Sequence, residues 1–375
     1  MRRRDFITLV GSAAAAWPLA ARAQESGRTY RLGFLVPSPK DSQPMAAFFD
    51  ELRREGFIER QNLEILPGGF DTANEKLSEL AVALAQAMPD AIVAGPVLPL
   101  RALQAATRTV PLIGLSEDLV AEGLVTSLAR PGGNITGISL LAPELDGKRQ
   151  DILIEAIAGA RRIAALFDAR VTPPSHLHVL ESAARSRGVA LSTFGVNGPE
   201  DVGAAIDEAK ASGAEGLNFL SSPLFAAPGS RIYQIVMERT AAVRLPAIFQ
   251  WPEMAEAGAV LGYGPPIAEV YRQRARLTAK VLRGAKPVDL PVEQPTKFEL
   301  VINLKTSKAI GHEVPAVKTH TSAKCRKHNS PARHRTSRVQ YDLTLRDAIA
   351  RRYFYVWRDR WSFRTAKTHN GPRPC

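Results

Sequence analysis

The residues of this chain that carry chemistry by type do not assemble into a catalytic pattern. His312-Glu313 has no second histidine four residues on, so it lacks the paired imidazoles that a zinc hydrolase presents on one helix face. His176 and His178 stand two apart at the expected exposed start of a helix and are read as surface residues, not metal ligands. Gly132-Gly133-Asn134-Ile135-Thr136-Gly137 departs from the spacing of a dinucleotide fingerprint and precedes a strand instead of following one. No Gly-x-Ser-x-Gly elbow occurs, and no nucleophile and base are paired by spacing. Asn134-Ile135-Thr136 matches a glycosylation acceptor, which carries little weight in a bacterial-type export product. The expectation is a protein that is not an enzyme and that uses no cofactor and no metal.

What remains are hydroxyls, carboxylates and aromatics at the ends of short apolar runs. In open parallel α/β sheets, ligands sit beyond the carboxyl ends of the strands, where helix N-termini offer free N–H groups to anions. Those ends are Ser38, Gly95-Pro96-Val97 and Ser116-Glu117-Asp118 in the first half of the chain. In the second half they are Asp168-Ala169, Ser221-Ser222, Gln250-Trp251 and Tyr263-Gly264. The candidate ligand-binding set is Ser38, Pro96, Val97, Ser116, Asp118, Asp168, Ser221, Ser222, Trp251 and Tyr263. Ser116 and Ser221 have the alternative role of helix N-caps, and Asp168 that of capping a turn. Hydroxyls and helix N-termini are expected to hold a carboxylate, Asp118 or Asp168 an amine. Trp251, the one tryptophan between Trp17 and the tail, is expected to stack on the solute body.

The elements that must position these groups follow a regular alternation. Tyr30–Val36, Asn62–Leu66, Ala91–Ala94 and Pro111–Leu115 read as strands, separated by helical stretches at Met45–Gly56, Asn74–Met88 and Leu98–Thr107. A second series runs from the helix Leu145–Ala158 through strands at Ile163–Phe167, Ala190–Val196, Gly216–Leu220, Ala247–Phe249 and Ala259–Tyr263. Short strands alternating with helices of this length imply βαβ units, parallel sheets and two Rossmann-like lobes. Between the series lies Ser127–Gly137, where Pro131 stops any helix over 120–129 and Gly132 and Gly133 allow the chain to turn. That stretch is read as the crossover between lobes. Ile267–Arg283 is a long helix ended by Gly284, and Phe298–Leu304 is a last strand.

The net charge of +12 is unevenly placed. From Val317 onward there are 15 Lys and Arg against 3 Asp and Glu, whereas the first 316 residues hold 34 of each sign. Cys325 and Cys375 also lie in that tail, so the body has no thiol chemistry. At the other end, Met1-Arg2-Arg3-Arg4, the apolar run 6–21 and Ala21-Arg22-Ala23 have the three-part layout of an export signal, with cleavage expected after Ala23. Arg3-Arg4-Asp5-Phe6-Ile7 fits twin-arginine export, with Sec export as the alternative.

The segment Pro291–Gly311, Pro-Val-Glu-Gln-Pro-Thr-Lys-Phe-Glu-Leu-Val-Ile-Asn-Leu-Lys-Thr-Ser-Lys-Ala-Ile-Gly, closely resembles the C-terminal motif of a family of bacterial ABC-transporter substrate-binding proteins. Ser127–Gly137 and the signal sequence resemble the same family, and the resemblance covers about residues 1–315. It implies a type I periplasmic binding protein: two Rossmann-like lobes with parallel sheets, joined by a three-segment hinge, and a ligand in the cleft. The expected lobes are 28–136 plus 264–290 and 137–263 plus 291–313. The expected hinge residues are Gly132, Gly133, Asn134 and Gly137, then Gly264, then Pro291 and Pro295. The implied function is capture of a small organic solute, such as an amino acid or aromatic carboxylate, for an ABC permease in the inner membrane. The implied molecule is a periplasmic monomer without nucleic-acid partners. The alternative is a ligand-binding accessory of a membrane sensor. A transcription regulator of this fold would need a helix-turn-helix where the export signal stands.

The resemblance stops near Val314-Pro315. Residues 317–340 show no apolar periodicity and are expected to be disordered, with a short helix over 343–357. A basic arm for nucleic acid or anionic lipid has no evident use in an exported solute binder. The tail is therefore read as the product of a reading-frame shift near codon 316.

Overall fold

The computed structural model describes residues 28–225, 231–312 and 314, and the backbone of Ser337–Tyr341. The expected export signal, most of the tail and its expected helix lie outside the described residues.

In the first lobe, β1 (Tyr30–Leu35), β2 (Leu63–Ile65), β3 (Ala91–Ala94), β4 (Leu112–Ser116) and β5 (Ile135–Ser139) form a parallel sheet in the order β2-β1-β3-β4-β5. The connecting helices are α1 (Gln43–Arg54), α2 (Leu77–Gln86) and α3 (Val97–Ala106). β3 is buried at every residue, as expected of a strand covered by helices on both faces. The second lobe begins with α4 (Ala142–Ala156). It continues through β6 (Arg162–Asp168), α5 (Pro174–Ser186), β7 (Ala190–Val196), α6 (Val202–Ala211), β8 (Leu217–Phe219), α7 (Arg231–Ala242), β9 (Ala247–Phe249), the short α8 (Pro252–Glu256) and β10 (Leu261–Gly264). α9 (Ile267–Leu282) then returns to the first lobe, where it packs on α1. β11 (Phe298–Ile302) and α10 (Leu304–Ala309) rejoin the second. The second sheet has the order β12-β11-β10-β9-β8-β6-β7, with β12 at Ser337–Tyr341. Its strands are parallel except β11 and β12, which pair antiparallel.

α9 is held on the first lobe by side chains spaced along one face. Val270, Tyr271 and Ala275 are buried, and Arg276 and Arg283 pair with Glu51 and Glu55 at the C-terminal part of α1 and its end, each at 2.8 Å. Arg274 is fully buried and donates from Nη2 to the carbonyls of Ala94 and, at 2.9 Å, of Ile113. Burial pushes its pKa down to about 10.

The chain crosses between lobes three times, but the first crossing is not where the glycines suggested. β5 pairs with β4 along its whole length, through Ile135↔Leu112 to Ser139↔Ser116, so it belongs entirely to the first lobe. Gly132 and Gly133 precede that strand, and Asn134 fixes its start by donating from Nδ2 to the Val110 carbonyl at 2.8 Å. Gly137 serves close approach within the sheet, because a Cβ there would lie 2.1 Å from the Gly114 oxygen. The turn into the second lobe is made at Leu140-Leu141, where Leu141 takes a left-handed φ of 58° just before α4. The second passage between the sheets follows β10, which ends at Gly264, before α9 packs on the first lobe. At the third, Pro291–Pro295 first runs beside β5: Glu293 accepts from Ser139 N–H at 3.0 Å and donates to the Gly137 carbonyl at 2.9 Å. The expected lobe boundaries at 136/137 and 290/291 therefore move a few residues C-terminal.

Residues 119–123 form a turn, with bends at 124–126 and 128–129, so no helix runs over 120–129: Asp118 Oδ1 accepts from Val120 and Ala121 N–H, and Gly123 at φ 69° ends the turn. One further expectation is corrected. Ser337–Tyr341, within and just beyond the segment expected to be disordered, forms β12 on the outer edge of β11. An edge strand offers backbone donors and acceptors that an extended segment can satisfy without an apolar pattern of its own.

Gly264 has no room for a side chain, since a Cβ would lie 1.9 Å from the Gln250 oxygen. Gly264→Ala is expected to lower stability by about 1–3 kcal/mol through forced backbone displacement at the second crossing. The midpoint of urea denaturation measures it.

Candidate functional site

The first-lobe strand ends and those of the second lobe meet around α4, whose first residue follows the first crossing. Ala142 N–H donates to the Glu117 carbonyl at 3.3 Å, which places the end of β4 against the start of α4. One turn further along α4, Asp146 and Arg149 form a fully buried ion pair. Arg149 also donates from Nη2 to Ser221 Oγ, past the end of β8, and from Nη1 to the Tyr263 carbonyl in β10 at 3.0 Å. Asp146 Oδ1 accepts from Ser221 N–H at 3.0 Å and from its Oγ at 3.2 Å. His176, near the start of α5, brings Nε2 to 3.2 Å from Asp146 Oδ2 in ion-pair range, though not in hydrogen-bond alignment.

This cluster sets strongly different proton affinities for its carboxylates. Burial alone would raise Asp146, but Arg149 and His176 outweigh it and hold the carboxyl below its ordinary value. Glu117 is pushed up to about 8, first by burial, then by the neighbouring charges of Asp146 and Glu122, with Arg149 acting in the opposite sense. Its Oε2 is shielded from solvent and has no hydrogen-bond partner among the described residues. Glu122, also raised by burial, accepts from Ser116 Oγ at 2.8 Å.

The other expected site residues fall into distinct positions. Ser116 is buried and committed to Glu122, and Asp118 closes its own turn. Asp168 is buried; burial would raise its pKa, but Arg170, at 2.9 Å, and the Ser222 hydroxyl, at 3.0 Å, together hold it low. Ser221 and Ser222 are therefore both bonded to buried carboxylates. Ser38 and Pro96 are half-buried at the ends of β1 and β3, while Val97 is buried in the first-lobe core. Tyr263 turns its ring into the second-lobe core, stacked on Phe298 at 6.4 Å, and offers the seam only its carbonyl. Trp251, at the end of β9, is 5% exposed, and its Nε1 has no hydrogen-bond partner among the described residues.

Asp146, Arg149 and the inward role of His176 are absent from the sequence reading, although a signal existed. The buried face of α4 comprises Ala142, Leu145, Asp146, Arg149, Gln150, Ile152, Leu153 and Ala156, so two charges occupy positions of the apolar stripe. His176 and His178 do not share an environment. The His176 side chain is 9% exposed, whereas that of His178 is 77% exposed beside Glu181. No group of three or more metal-ligating side chains occurs among the described residues. A surface depression of about 700 Å³ opens at the opposite end of the first sheet, lined by Arg28, Asp90, Arg108 and Lys286 among others, away from the strand ends where this sheet type binds ligands.

Residues 41–317 match the family described as ABC transporter substrate binding protein. The chain belongs to that family. Family members are solute-binding proteins that work with ABC transporters and are typically exported; they are not enzymes. The match ends at 317, where the basic tail begins. The substrate-binding protein is 23% identical over 281 residues to a tyrosine-binding protein of Clostridioides difficile strain R20291, spanning 74% of this chain and 79% of that one. It superposes on a conserved domain protein from Vibrio cholerae with a TM-score of 0.68 and 22% identity, over 77% and 96% of the two chains. An ABC domain from Streptococcus pneumoniae in complex with L-Trp gives 0.67 and 20%, over 76% and 96%. These likenesses, with the two sheets and three crossings, give the substrate-binding protein a type I periplasmic-binding fold.

The native state keeps the Glu117 proton up to about 8, whereas an unfolded glutamate loses it near 4.5. The folded form binds more protons in that window, so stability of the ligand-free protein falls as pH rises from about 5 to about 8. Glu122 adds in the same direction, while Asp146, held low, costs stability only in stronger acid. Thermal melts from pH 5 to 8 are expected to show a falling midpoint, and Glu117→Gln to flatten most of that fall.

Proposed function

We propose that the protein captures a small organic solute carrying a carboxylate, an amino acid or an aromatic acid, between its lobes and presents it to an ABC permease in the inner membrane. The observation that carries this reading is the meeting of strand ends of both sheets around α4, together with the buried Trp251 indole N–H after β9, which has no partner among the described residues. A buried donor without an acceptor is costly, and a polar ligand atom relieves it. The family membership and relatives whose names carry tyrosine and tryptophan support a solute of this kind.

In this reading the lobes close about the three crossings, and the ligand favours the closed form by touching both lobes at once. Ser38 and the N-terminus of α3 at Pro96 and Val97 hold the carboxylate from the first lobe; α3 has ten residues and no side-chain cap. Trp251 contacts the solute body from the second lobe. Asp118 and Asp168, each engaged by its own neighbours, are poorer amine acceptors than their strand-end positions suggested. Gly264 and the segment 294–297 flex with Leu140-Leu141. The protein works in the periplasm as a monomer, exported by a signal cleaved after Ala23, and performs no turnover.

Intrinsic fluorescence titration with amino acids and aromatic carboxylates tests the proposal. A ligand of micromolar affinity, about 8 kcal/mol, is expected to change the emission, and the change to disappear in Trp251→Phe. Trp251→Ala is expected to weaken that ligand at least tenfold, about 1.4 kcal/mol. A ligand that binds Trp251→Ala as tightly as the unmodified protein removes Trp251 from the site.

A further inference from the structure

Among the described residues, one carboxylate at the strand ends around α4 has no hydrogen-bond partner. Asp146 has Arg149 and His176, Asp168 has Arg170 and Ser222, Glu122 has the Ser116 hydroxyl, and Asp118 has two backbone donors of its own turn. Glu117 Oε2 is shielded from solvent and bonded to nothing among the described residues. The charges that bear on it are Asp146 from α4, Glu122 from the turns after β4, and Arg149, whose guanidinium is already shared among Asp146, Ser221 and the Tyr263 carbonyl. Beyond these, Arg101 from α3 acts on Glu122, and His176 from α5 acts on Asp146. None of these cations makes a hydrogen bond to the Glu117 carboxylate among the described residues. Independently, Trp251, more than nine-tenths buried at the end of β9, carries an indole N–H without an acceptor. The Glu117 oxygen after β4 of the first lobe and the Trp251 indole N–H after β9 of the second, each without a partner among the described residues, describe a ligand with a cationic group and a hydrogen-bond acceptor.

We propose that Glu117 receives the ammonium group of the solute and that binding expels the proton which Glu117 carries in the empty protein. This rests on the seam being the solute site and names the chemistry that site selects. In the ligand-free state, burial and the nearby carboxylates keep the group largely protonated at neutral pH. The incoming ammonium retains all its protons; the Glu117 carboxylic acid releases one to solvent, and an ion pair replaces the neutral acid. Charge is conserved, since one cation enters and one proton leaves. The site therefore discriminates between an amine-bearing solute and the same molecule without its amine. Apparent affinity weakens on acidification, because the proton competes with the ammonium, by up to about tenfold per pH unit below the pKa of the empty site.

Isothermal titration calorimetry of the full protein at pH 7, in phosphate and in Tris, provides the test, with L-tyrosine, L-tryptophan, tyramine and 3-(4-hydroxyphenyl)propionate as probes. The expected result is release of close to one proton per ammonium-bearing probe, read from the difference in heat between the two buffers, and none for the propionate. Glu117→Gln is expected to abolish the proton release and to weaken the ammonium-bearing probes at least tenfold while leaving any propionate binding unchanged. Glu117→Asp is expected to retain proton release, and unaltered circular dichroism shows that each variant folds. Binding of ammonium-bearing probes without proton release, or equally to Glu117→Gln, overturns the assignment while leaving solute capture in place. Binding of the propionate alone does the same. If no probe binds, the amino-acid reading falls together with the role of Glu117.

Discussion

The arrangement of the second-lobe strand ends around α4 depends on the buried guanidinium of Arg149. From one turn of α4 it reaches the carboxylate of Asp146, the hydroxyl of Ser221 and the carbonyl of Tyr263, so it joins the helix after the first crossing to the strand before the second. A buried charge of this kind is tolerated only when its partner is equally buried and its hydrogen bonds are met; removing one member of such a pair typically costs about 3–5 kcal/mol. Arg149 meets most of that requirement with groups from three separate elements. The same requirement explains why Ser221 and Asp146 are spent on structure and why the unpaired carboxylate falls to Glu117, across the seam in the first lobe.

The first lobe uses a buried guanidinium differently. Arg274 lies under the first sheet and donates to the backbone carbonyls of Ala94 and Ile113, with no carboxylate paired to it among the described residues. Together with the ion pairs from Arg276 to Glu51 and from Arg283 to Glu55, it anchors α9 to the first lobe. α9 begins just after the second crossing and is followed by the strap that makes the third. Anchoring this helix leaves only short segments to link the lobes: Leu140-Leu141, Gly264 with its prolines, and 294–297. Such segments can absorb a hinge rotation without disturbing either core.

The outer edge of the second sheet shows how little side-chain pattern is needed to extend a sheet. β11 pairs with β10 in the body of the fold and with β12 on its free side. The family match ends between these two strands, at residue 317. β12 therefore lies beyond the residues that match the family, and what it satisfies is the row of backbone groups that any edge strand leaves exposed.

The order of strands and helices, the two-lobed class and the family membership were legible in the sequence because periodicity and turn chemistry are local: a run such as Ala91–Ala94 needs no partner to declare itself a buried strand. The Pro291–Gly311 segment was long enough to indicate the family by itself. The position of the first crossing was not legible, because glycines that bend a chain and glycines that let strands approach look alike, and only the pairing of β5 with β4 separates them. The candidates do stand at or just beyond strand ends, but their availability was a tertiary matter. Ser116, Ser221 and Asp168 are consumed by Glu122, Asp146, Arg149 and Arg170, while Tyr263 turns inward. Sequence by itself determined which residues stand at the ends of strands. Tertiary structure alone decided which of them still lack a partner, because the groups that satisfy or deny a buried charge come from elements far apart along the chain.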